Sequence, residues 1–123
     1  LHRLGTTLAI GAGILDQGRN LIWFPEGMRS PDGKMLDFQP GLGRILAARK
    51  EQVRVVPVCI RGTFEAMPKG SWRIRPAKVR VAFGESIAAA ELATQEQDAE
   101  KAIMEALRER MLQLCEDSGS AAP

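Results

Sequence analysis

The residues best suited to chemistry lie close together. Glu26, Gly27, Arg29 and Ser30 fall on a polar, Gly- and Pro-rich segment that runs from Pro25 to Gly41. Arg29 offers a planar fork of donors that matches phosphate oxygens. Ser30 adds a hydroxyl, and Glu26 can accept hydrogen bonds from sugar-like or glycerol hydroxyls. Gly27 lets the backbone come close to a ligand. Pro40 and Gly41 open the next helical pattern, and the N–H groups of a helix start suit an anion. The set describes a binder of a phosphate that carries hydroxyls. Plainer roles fit the same residues: Glu26 and Arg29 as a loop ion pair, and Ser30-Pro31-Asp32-Gly33 as a type I turn.

The elements that position this segment read as follows. Leu4 to Gln17 carries Leu4, Leu8, Ile10, Ile14 and Leu15 at helical spacing and ends before Gly18. Asn20 to Phe24 is a continuous apolar run, the pattern of a strand buried on both faces. Ligands of open α/β sheets bind beyond the carboxyl ends of such strands, which is where Glu26 to Ser30 falls. A second helix is expected over Leu42–Lys50, then a strand over Val53–Ile60. Pro57 lacks a ladder donor, so it belongs at an edge, near the strand's end or at a bulge. Arg61 to Gly70 reads as loop and Lys78–Phe83 as an alternating, half-buried strand. The last helix, about Thr94 to Glu116, presents Ala99, Ala102, Ile103, Ala106, Leu107, Met111 and Leu114 on one face. Residues 118–123 read as a disordered tail. This order gives an α/β fold, a partial mixed β-sheet flanked by helices, with residues 1–117 forming part of a single domain.

With 123 residues, 45% hydrophobic and 26% charged, the chain can build a core. A net charge of +2 is too small to argue for nucleic acid and suits an anionic ligand or membrane surface. Trp72-Arg73-Ile74-Arg75, near Lys69 and Lys78, reads either as a basic patch for membrane headgroups or as a solvated face. Cys59, in the Val53–Ile60 strand, and Cys115, on the last helix, read as free buried thiols in preference to a disulfide, which points to a reducing compartment. No apolar run reaches the roughly 18–20 residues of a membrane span, and no signal peptide is visible. The chain begins at Leu1 already in helical pattern, as a fragment of a longer protein would. Other chemistries fail on inventory. There is no Gly-x-Ser-x-Gly elbow, too few Cys and His for zinc, and no phosphate-loop signature around Gly41-Leu42-Gly43.

Phe24-Pro25-Glu26-Gly27-Met28-Arg29-Ser30 resembles the Phe-Pro-Glu-Gly-Thr-Arg-Ser block of the glycerolipid acyltransferases, which include the 1-acylglycerol-3-phosphate acyltransferases. Asp32-Gly33, Phe38, Gly41, the run Val55 to Ile60, Arg61-Gly62-Thr63 and Gly84-Glu85 follow in the same order and spacing. The resemblance reaches to about Ile87 and implies the C-terminal portion of such a domain. It further implies that Glu26, Gly27, Arg29 and Ser30 bind the glycerol-phosphate end of a lysophospholipid acceptor. Phe24, Pro25, Gly41, Pro57 and Gly62 would shape the site. The donor would be acyl-CoA or acyl-carrier protein, a co-substrate, with no cofactor, no metal and no nucleic acid. Peripheral contact with membrane lipid, on the cytoplasmic face, is implied as well. Met28 in place of Thr and Gln39 where many members carry Lys leave the acceptor's identity open.

The family's reaction also needs a general base, an imidazole oriented by an Asp in a His-x4-Asp arrangement. The single histidine, His2, has Thr7 at that spacing. The sequence therefore assigns no catalytic residue to this chain and places the base in a missing N-terminal part of the same domain. A non-catalytic phosphate-ligand or lipid-headgroup module is the alternative, and the sequence upstream of Leu1 discriminates the two.

Overall fold

A computed structural model of the chain describes residues 2–67, 69–94 and 97–120, with side chains described for 5–67, 69–94 and 97–119. Helix α1 spans His2–Asp16 and α2 spans Gly41–Ala48. Strands β1 (Arg54–Val55) and β2 (Val58–Arg61) precede the short helix α3 (Thr63–Ala66). Then come β3 (Arg80–Phe83), β4 (Ile87–Ala88), α4 (Ala89–Leu92) and the long α5 (Ala99–Ser120).

The core forms where α2 lies against α5. Leu42 and Leu46 meet Ile103, Met104 and Leu107, and Ile87, Ala89 and Leu92 close the cluster. The spacing of the α5 residues puts them on one stripe, as the sequence implies. Burying each large aliphatic stabilises by about 1.5–3 kcal/mol. The helices approach closely because position 43 is glycine. A Cβ there would stand 2.7 Å from the Glu100 carbonyl oxygen.

Pro57 divides the expected Val53–Ile60 strand. β1 pairs antiparallel with β4, Arg54 opposite Ala88. β2 pairs antiparallel with β3, Val58 opposite Phe83 and Arg61 opposite Arg80. A ladder cannot run through a residue without an N–H. Pro57 is buried at the break, and its carbonyl accepts the Gly84 N–H at 2.8 Å. Helices packed on short strands are the expected class, and both described ladders are two-stranded and antiparallel. β2 and β3 turn Cys59 and Ala82 toward α5, while Ile60, Val81 and Phe83 face outward, Phe83 with 72% exposure.

Several expectations are corrected. Residues 20–24 form no strand and join no ladder among the described residues; Leu21 and Trp23 are half-buried, while Ile22 is 84% and Phe24 70% exposed. An apolar run signals a need for burial but does not supply the neighbouring strand that a sheet requires. Cys59 and Cys115, read as free thiols, form a disulfide between β2 and α5, so they no longer argue for a reducing compartment. The Arg61–Gly70 loop contains α3, and β4 and α4 had no sequence counterpart. Helix α5 starts later than Thr94 and continues through 118–120, while 121–123 of the expected tail lie outside the described residues.

Candidate functional site

The Phe24–Ser30 segment opens a loop that two hydrogen bonds close on itself. The Gln39 N–H donates to the Pro25 carbonyl at 2.7 Å. The Leu36 N–H donates to Glu26 Oε2 at 2.8 Å, in a half-buried setting. Within the loop, the Gly27 N–H reaches back to the Phe24 carbonyl at 3.1 Å. Gly27 has φ +73°, and a Cβ on it would press on the Gln39 side chain at 3.1 Å. Glycine is required here by the turn itself.

The expected site residues therefore divide by role. Arg29 is exposed, with no ion pair to Glu26 among the described residues. Its guanidinium is open to an anion. Glu26 holds the loop through Leu36. Ser30 donates to Asp32 Oδ1 at 3.0 Å and accepts the Asp32 N–H at 3.4 Å, while Lys34 N–H donates to the same Oδ1 at 3.0 Å. These bonds bend the chain through the Ser30 and Asp32 side chains, and among the described residues no backbone bond from Gly33 to Ser30 closes the expected type I turn. The Lys34 N–H, and after it the Ser30 hydroxyl, hold Asp32 below the usual carboxylate range.

The site-shaping residues are more dispersed. Pro25 is buried. Gly41 begins α2 against Leu8 of α1, which would lie 2.7 Å from a Cβ at that position. Pro57 sits at the strand break, and Gly62, φ +92°, caps α3 where a Cβ would overlap the Lys78 carbonyl. Phe64 of α3 packs beneath Gly33, which joins the site loop to the β2 end of the molecule. Leu36 and Phe64 were not anticipated, and Gln39 was read only as a departure from the family's Lys. Asp32 was read from the sequence as part of the Ser-Pro-Asp-Gly segment, whereas nothing in the sequence marked Leu36 or Phe64. The side chain of His2 lies outside the described residues. A hollow of about 470 Å³ beside α5, lined by Thr94, Asp98, Lys101 and Glu105 among others, shares no residue with this loop.

Residues 3–61, which hold this loop and both strands flanking Pro57, match the family model described as Acyltransferase. A 1-acyl-sn-glycerol-3-phosphate acyltransferase of Limnanthes alba is 37% identical over 70 residues, covering 57% of this chain and 24% of that protein. A chloroplastic 1-acyl-sn-glycerol-3-phosphate acyltransferase of Arabidopsis thaliana is 41% identical over 58 residues, covering 47% of this chain and 16% of that protein. The crystal structure of PlsC, the 1-acyl-sn-glycerophosphate acyltransferase of Thermotoga maritima, superposes with a TM-score of 0.77 at 31% identity, over 94% of this chain and 45% of that one. Together these matches support an acyltransferase family of the 1-acylglycerol-3-phosphate acyltransferase-like, PlsC type for this chain, which spans less than half the length of each of these relatives.

Proposed function

We propose that this chain forms the acceptor-binding side of an enzyme that transfers an acyl group from acyl-CoA or acyl-carrier protein to a lysophospholipid such as 1-acylglycerol-3-phosphate. The observation that carries the reading is the self-closed Pro25–Gln39 loop, which presents an exposed Arg29 with no ion-pair partner among the described residues at the position of the family's Phe-Pro-Glu-Gly block. A guanidinium in that setting suits a phosphate ester. Glu26 and Gly27 act by fixing the loop, and Ser30 by shaping its turn.

In the reaction, the acceptor hydroxyl attacks the thioester carbonyl, its proton goes to a general base, and the thiol leaves. No residue of this chain supplies the base, since Thr7 stands where an Asp would have to orient His2. The base comes from a part of the domain outside these residues. No cofactor takes part; the acyl thioester is a co-substrate. The enzyme associates peripherally with a membrane, and among the described residues no helix is long and apolar enough to cross one.

The test is Arg29→Ala in the full-length protein. Loss of a charged hydrogen bond of about 2 kcal/mol lowers kcat/KM roughly 30-fold, mainly through acceptor KM. An unchanged acceptor KM refutes the role of Arg29. Residues 1–123 alone are expected to turn over no acyl-CoA, and measurable turnover would place the base inside this chain.

A further inference from the structure

Between Glu65 and Glu85 the chain has no acidic residue and five basic ones: Lys69, Arg73, Arg75, Lys78 and Arg80. Arg80 lies in β3 and is partnered. The other four are exposed on the irregular segment that joins α3 to β3, and none forms an ion pair among the described residues. Two large apolar side chains stand among them in solvent, Trp72 at 83% and Ile74 at 81% exposure. The Arg73 guanidinium lies 5.5 Å from the centre of the Trp72 ring. The base of the segment is closed, since the Arg75 N–H donates to the Ala66 carbonyl at 2.6 Å.

We infer that this segment is a membrane-docking loop that seats on the surface of an anionic bilayer. Trp72 and Ile74 enter the headgroup boundary, and Lys69, Arg73, Arg75 and Lys78 face the lipid phosphates. An exposed aromatic and an exposed aliphatic side chain, with four cations beside them along the chain, match that boundary, where indole rings are favoured and basic residues meet negative surface potential. Nucleic acid is the weaker fit. Ile74 gains nothing from a phosphate backbone, and the net charge of the whole chain is only +2. Placement supports the same partner. The loop leaves one end of α3, while Phe64 within α3 packs under Gly33 of the Arg29-bearing loop. A bilayer held by Trp72 therefore lies near the proposed acceptor site. The inference draws on the proposed acyl transfer only for this last point.

The test uses the full-length protein and vesicles of phosphatidylcholine with or without phosphatidylglycerol. Brominated acyl chains are expected to quench tryptophan emission, and Trp72→Phe to abolish the quenched component while Trp23 still emits. Replacing Lys69, Arg73, Arg75 and Lys78 together by Gln lowers partitioning to anionic vesicles by at least about 100-fold. Trp72→Ala with Ile74→Ala lowers it at least about 10-fold. With a short-chain acceptor dissolved as monomers, both sets of variants keep wild-type KM, whereas Arg29→Ala does not. A failure of the docking loop is thereby distinguished from a failure of the acceptor site. Quenching that survives Trp72→Phe unchanged overturns the inference. So does partitioning indifferent to the four Gln substitutions, or an RNA oligonucleotide that binds this loop when anionic vesicles do not.

Discussion

Substituting Glu26 separates a loop clasp from a ligand contact. Its Oε2 accepts the Leu36 N–H at 2.8 Å across ten residues, in a half-buried setting. A hydrogen bond to a charged acceptor is worth about 1.5–3 kcal/mol, and water can partly replace it where the site is half open. Glu26→Ala should therefore raise the free energy of the closed loop by about 1–2 kcal/mol. Glu26→Gln keeps an amide oxygen and should cost about half as much. Amide hydrogen exchange at Leu36 reads the opening of this loop directly. At about 1.4 kcal/mol per factor of ten, Leu36 in Glu26→Ala exchanges roughly 5- to 30-fold faster than wild type. The Gln variant falls between, and Arg29→Ala leaves Leu36 unchanged. If Glu26 served only as a ligand group, the unliganded protein would show the same Leu36 exchange in all of them. That result refutes the clasp.

Three further outcomes follow from the packing. The Cys59–Cys115 bond closes a loop with a sequence separation of 56. In the chain-entropy view it stabilises by about 4 kcal/mol, so reduction should lower the urea midpoint clearly, and identical midpoints with and without reductant would deny the bond. Gly62→Ala forces a side chain into left-handed backbone and onto the Lys78 carbonyl. A loss of at least about 2 kcal/mol is expected in chemical unfolding, and an unchanged midpoint would mean that α3 is not capped as described. Arg49 bonds both oxygens of Asp16, at 2.7 and 2.9 Å, and that hydrogen bond, opposed by slight desolvation, holds the Asp16 carboxyl below its usual range. With the folded value depressed, the pair stabilises above the unfolded value and its contribution fades as pH falls through the folded one. The melting-temperature difference between wild type and Asp16→Asn should thus be present near neutral pH and shrink below about pH 4. A difference that stays constant across that range would sink the assignment.

Much of this was legible because it depends on local pattern. The apolar stripe of α5 names its own buried face, and Pro57 announces a break in whichever ladder it enters. The Phe24–Ser30 block could be located from its residue types and spacing. What stayed hidden depends on contacts distant in sequence. Nothing near Glu26 says that its carboxylate will turn to Leu36, and nothing near Cys59 points to a residue 56 positions on. Residues 20–24 misled for a related reason. Their apolarity is real, but pairing is a property of two segments, and no described strand lies beside this one. Short elements such as β4 and α4 offer too few residues for any period to show.

The covalent tie at Cys59 acquires a further meaning beside the narrowness of the ladder it enters. A two-stranded ribbon is barely stable alone, since it lacks the flanking strands that would hold its alignment. Here β2 is pinned to α5 by the disulfide and, two residues on, by Arg61, whose guanidinium donates to the Cys115 carbonyl at 2.8 Å. These two attachments fix which face of the ribbon turns inward. A slip of one residue would carry Cys59 to the solvent side and break both. The helix thus serves as the ruler against which the ribbon is set, doing for β2 what additional strands do in a wider sheet.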